Sequence, residues 1–120
     1  MSMPEDLVPP LEKCKRIPAG EFAYSALVFA RLFTGHTLIV PREEAAKNGW
    51  DITVPAPTLE EILRELTACG LDEPAVSFDG DHWIAYCDFY STGGPITPVA
   101  SDSGAGAALR LWMQFRGIGD

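Results

Sequence analysis

Residues 78–87 read FDGDHWIAYC, which places Asp79, Asp81 and His82 within four positions of one another. Carboxylate oxygen and imidazole nitrogen are ordinary metal donors, so this triplet is the first candidate for a metal centre. Its order argues for a different role. Asp79-Gly80 separates two apolar runs, and Asp-Gly in that position is a strong hairpin signal because glycine takes the positive φ of a tight turn. Side chains at such a tip splay into solvent instead of converging. A metal would also need a further ligand, and the other histidine, His36, falls in a predicted turn of its own. The triplet reads as a chain reversal, and no metal ligand is assigned.

The remaining reactive residue types also find plainer explanations. SDSGAG at 101–106 superficially resembles the surroundings of a protease serine, but a two-barrel protease does not fit in 120 residues. It lacks the lysine of G-K-[ST] and the G-x-G-x-x-G spacing, so it reads as a helix cap followed by small residues for close packing. Cys14, Cys69 and Cys87 are odd in number and widely spaced, which matches neither a disulfide framework nor a zinc pattern. A cysteine nucleophile needs a histidine base alongside, and Cys87 shares a predicted strand face with Trp83 and Phe89. The pairs Glu43-Glu44 and Glu60-Glu61 sit in predicted helices, where neighbours point in different directions. No catalytic residue and no cofactor site is assigned, and the balance is against an enzyme.

Composition sets the frame. A chain of 120 residues with 47% hydrophobic and 22% charged residues is expected to fold around a core without a disulfide or metal staple. The net charge of -8 opposes phosphate backbones, which argues against direct nucleic-acid binding. An acidic nucleic-acid mimic is an alternative only if the carboxylates gather on one surface. Ser25-Ala-Leu-Val-Phe-Ala, cut by Arg31, is far too short to span a bilayer. The opening MSMPEDLVPP is acidic and proline-rich, unlike a secretory signal, so a cytoplasmic location with no membrane partner is expected.

Residues 1–20, with four prolines, read as an irregular leader to a single α+β domain over 21–120. SALVFARLF and TLIV, separated by Thr34-Gly35-His36, predict a hairpin. In its first strand Val28 and Leu32 share one face and Leu27 and Phe29 the other. One helical turn around 43–47 ends at Asn48-Gly49, and a short strand is expected at 52–54. PTLEEILRELTACG carries a Thr58/Glu61 capping box and apolar Leu59, Ile62, Leu63 and Leu66 on one face, predicting a helix over 58–69. A second hairpin pairs 75–78 with 82–90, and its longer strand sets Trp83, Ala85, Cys87 and Phe89 against Ile84, Tyr86 and Tyr90. A last helix over 102–116 buries Ala105, Ala108, Leu109, Trp112 and Met113. The expected architecture is an antiparallel sheet of about four strands, made from the two hairpins, with the two helices packed on one face.

Pro57, Thr58, Leu59, Glu61, Ile62 and Leu63, then Trp83, then Ala108, Leu111, Trp112 and Met113 carry a resemblance. The chain resembles small uncharacterised proteins encoded by phages and prophages of gut bacteria, which are loosely similar to the phage ABA-sandwich domain. The resemblance covers about half the chain and implies a fold and an origin, with no catalytic residue. Met113 stands where leucine is usual. The resulting expectation is a non-enzymatic accessory protein acting through contacts with a host or phage protein. The apolar sheet face with Val28, Leu32, Ile84, Tyr86 and Tyr90 adds an expected homodimer. The alternative is a small-molecule binder or small enzyme with a cleft lined by Tyr86, Tyr90 and His82.

Overall fold

A computed structural model describes residues 7–87, 89–90 through their backbone, and 97–118. The chain is α+β and divides into two compact units, Met1–Thr58 and Leu59–Asp120.

In the first unit, where an irregular leader is expected, Leu11–Cys14 forms a short helix (α1) and Val8, Pro9 and Cys14 are fully buried. The predicted hairpin forms from β1 (Leu27–Arg31) and β2 (Thr37–Pro41), with Val28 opposite Val40 and Ala30 opposite Leu38. Gly35 turns the chain at φ 93°, between bonds from Gly35 N–H to Leu32 O and from Leu32 N–H to His36 O. α2 (Arg42–Asn48) follows Pro41 directly, and Gly49 ends it in the left-handed region. β3 (Asp51–Pro55) then pairs on the far side of β1, giving the antiparallel order β2-β1-β3 with a bulge between Phe29 and Ala30. β1 is therefore central, and Val28, Phe29 and Ala30 are buried in succession on alternating faces. α2 packs on β1 and β2, closing a small core of Val28, Ala30, Val40 and Ala45 with Trp50 against it.

The second unit begins with α3 (Leu59–Ala68), whose Ile62 and Leu66 are fully buried while Glu60 and Arg64 pair at 3.0 Å on its outer side. β4 (Leu71–Asp72) pairs with β7 (Phe89–Tyr90). β5 (Ala75–Phe78), β6 (Trp83–Tyr86) and β8 (Val99–Ser101) form a second antiparallel sheet in the order β5-β6-β8. α4 (Gly104–Phe115) lies against all three of those strands and against α3. Eight of its twelve residues are buried, from Ala105 to Met113 with Arg110 alone turned out. A helix this apolar all round must be covered on more than one side.

The architecture differs from the expected four-stranded sheet in three respects. Each hairpin acquires a third strand, so there are two three-stranded sheets. The strand expected over 82–90 breaks after Tyr86, and its end pairs with β4. The face of β1 that was expected to be open is closed by α2, so fully buried Val28 is not available to a partner. The loop expected over 91–100 falls largely outside the described residues.

Candidate functional site

The hairpin tip at 79–82 is built as a turn in every polar detail. Asp79 Oδ1 accepts the backbone N–H of Asp81 at 2.8 Å and of His82 at 2.7 Å, and Asp79 N–H donates to His82 O at 3.0 Å. Gly80 sits at φ 106°, which a side chain would resist. The two amide donors stabilise the ionised carboxylate, first His82 and then Asp81, and hold the Asp79 carboxyl below the ordinary aspartate value. Asp79, Asp81 and His82 are all exposed. His36 lies in the first unit, hydrogen-bonded to Thr34 Oγ1 at 3.1 Å through Nδ1. Among the described residues, no group of three or more His, Cys, Asp or Glu side chains is placed to hold a metal ion.

The serine-glycine stretch closes the N-terminus of α4. Ser103 is the N-cap, and its Oγ accepts Gly106 N–H at 3.0 Å. A Cβ on Gly106 would stand 2.8 Å from Ser103 Oγ and 2.9 Å from Ser101 Oγ, so glycine here is what lets both serines close over the helix end. Gly104 differs, because a Cβ there would meet Trp83, Val76 and Leu59 at ordinary contact distances. Ser103 Oγ is thus engaged in capping the N-terminus of the helix, with Ser101 packed beside it.

Of the cysteines, Cys14 is fully buried with Sγ 3.6 Å from Pro9 O, and desolvation pushes its thiol up to about 12. A thiol held protonated in this way is a packing group, not a nucleophile. Cys69 and Cys87 are half-buried and unbridged.

Of the residues that sequence periodicity assigns to an interaction face, Ile84 and Tyr86 lie on β6 and Tyr90 on β7. Trp83 and Val76 approach Gly104 of α4, which fixes the helix-covered side of the second sheet. Ala85, on that side, is fully buried. Ile84 and Tyr86 alternate to the opposite face, across from Ser77 and Ala75 respectively, and both are half-buried. The side chain of Tyr90 lies outside the described residues, and His82 points to solvent at the tip.

Three features carry no signal in the sequence. In the first unit, Arg42 Nε donates to Ser25 O at 2.9 Å and its Nη2 to Ser25 Oγ at 3.0 Å, tying α2 to the start of β1. A cleft of about 350 Å³ opens beside β3, lined by Ile17, Glu21, Arg42, Ile52 and Thr53 among others. In the second unit, Arg110 Nη1 donates to Ala100 O at 2.7 Å and Gln114 Nε2 to Thr97 O at 3.4 Å. These side chains from α4 cover the outer edge of β8.

No family model, curated protein or solved structure matches the chain. No helix among the described residues is long and apolar enough to cross a membrane.

Proposed function

We propose that this chain is a non-enzymatic accessory protein that acts through contacts with other proteins. The observation that supports this most is the distribution of its large apolar side chains. Tyr24 is 97% and Phe33 85% exposed, and Phe78 is more than half exposed. Isolated apolar residues on a surface are ordinary, but Phe78 stands beside Trp83 with ring centroids 5.3 Å apart, at the end of a sheet whose other face carries Ile84 and Tyr86. The second sheet thus carries partly exposed apolar side chains on both faces, and exposed apolar surface is a common mark of an interaction site. The phage or prophage origin rests on the resemblance of residues 57–115 alone.

With Val28 buried in its own unit, the expected homodimer rests on Ile84 and Tyr86. Light scattering at tens of micromolar should give a dimer mass that Tyr86→Glu converts to monomer; a monomer mass for the unmodified chain removes the second copy as partner. A thermal-shift screen against metabolites and divalent metals tests the reading as a whole. Stabilisation by one of them at concentrations near its Kd would replace protein contacts with small-molecule binding.

A further inference from the structure

The second sheet has two outer strands, and they are finished differently. On β8, Ala100 faces away from β6, and its carbonyl is taken by Arg110. On β5 the ladder runs Ala75–Tyr86, Val76–Ala85, Ser77–Ile84, Phe78–Trp83, and the bond from Asp79 N–H to His82 O fixes which pairs exchange hydrogen bonds. By alternation these are Asp79, Ser77 and Ala75, so Val76 and Phe78 turn their N–H and C=O groups away from the sheet. Ser77 and Phe78 are exposed, so this edge is open to solvent at its C-terminal half. Natural edges are commonly blunted by lysine, proline or a covering side chain. β5 has none of these within its four residues.

The charges around this edge have one sign. Exposed Asp72 and Glu73 precede β5, and exposed Asp79 and Asp81 follow it. The second unit contains ten acidic and three basic residues, against seven and six in the first, and no lysine. Each of its three arginines is engaged elsewhere: Arg64 with Glu60, Arg110 with Ala100 O, and Arg116 stacked 5.2 Å above the Trp112 ring. A second copy pairing antiparallel through β5 would bring these acidic ends together, which is unfavourable across adjacent strands. A cationic segment meets the opposite situation.

We infer that β5 is a docking edge for an extended, basic polypeptide segment, which adds as a fourth strand and lays an apolar side chain against Phe78 and Trp83. The inference rests on the protein-contact reading above and names the partner's chemistry. Backbone bonds to Val76 and Phe78 give the attachment, and lysine or arginine at each end of a stretch of roughly four residues, about 13 Å, meets the acidic ends.

The test uses the full chain, isotope-labelled for amide exchange, and the peptide Lys-Lys-Val-Thr-Val-Thr-Lys-Lys. Binding should slow exchange of the Val76 and Phe78 amides about tenfold or more and weaken in high salt. The same peptide with glutamate for lysine, or with N-methyl groups on all four central amides so that both of its edges are blocked, should leave both amides unprotected. Phe78→Pro removes one outward donor and should abolish protection. Because that variant can disturb the hairpin, Phe78→Lys, which keeps the backbone, should weaken binding about tenfold by charge and lost ring contact. Equal binding of the methylated peptide, or protection confined to other strands, overturns the edge. If the edge fails while a dimer still buries Ile84 and Tyr86, only this inference falls. If no polypeptide binds and a metabolite stabilises the chain, the broader reading falls with it.

Discussion

The two three-stranded sheets share a plan, a hairpin plus one later strand with a helix on one face, yet they bury their cores by different means. In the first unit the central strand β1 contributes three buried residues in succession, Val28, Phe29 and Ala30, while α2 contributes only Ala45. In the second, β6 has a single fully buried residue, Ala85, and α4 contributes eight buried residues. The difference follows from sequence. SALVFARLF and TLIV supply Val28, Phe29, Ala30 and Val40 to a strand-centred core, whereas AGAALRLWM supplies small and long apolar residues on every side of a helix. Sensitivity to substitution should therefore sit on a strand in one unit and on a helix in the other.

The largest expected effect is Trp112→Ala, which empties the centre of α4 and should cost about 3–5 kcal/mol in urea denaturation. A cost below that of a strand substitution in the same unit would break the comparison. Val28→Ala should cost about 2 kcal/mol in the first unit, and more than Ala45→Gly on the helix that covers it. Gly106→Ala should lose about 1–2 kcal/mol as the Ser103 cap is pushed aside, whereas Gly104→Ala should be neutral or gain up to about 1 kcal/mol. If both behave alike, the serines do not close over Gly106.

The smallest effect concerns the hairpin tip. Asp79 has a folded-state pKa below its unfolded value, so its contribution is present above the ordinary aspartate value and is lost as pH falls through the lower, folded one. An NMR titration of the Asp79 carboxyl carbon should place its midpoint below the ordinary aspartate value. Asp79→Asn, which keeps an oxygen acceptor, should preserve the turn bonds better than Asp79→Ala.

How much of this was legible depended on sequence distance. The hairpin turns at Gly35 and Gly80 and the C-terminus of α2 at Gly49 all rest on residues within a few positions, and the sequence reading anticipated each. The alternation that separates Ala85 from Ile84 and Tyr86 was equally local. Which strand joins which hairpin was not. β3 was recognisable as an extended segment, but its pairing with β1 joins residues some twenty positions apart. Val99-Ala100-Ser101 is too short to show a period at all. Val28 was misassigned because alternation gives a side chain its face without saying what covers that face. The covering of β8 was hidden for the same reason, since Arg110 reaches back ten residues to Ala100.

That arginine also limits assembly. A sheet with both margins free can take up strands indefinitely, as fibrils do, because every addition exposes a new margin. With Arg110 and Gln114 over the β8 margin, the second sheet lacks a free receiving side there for copies to follow one another head to tail. Like-charged ends at β5 oppose the remaining symmetric pairing. If β5 takes up a strand as proposed, Arg110 on the neighbouring helix would confine that addition to one margin of the sheet.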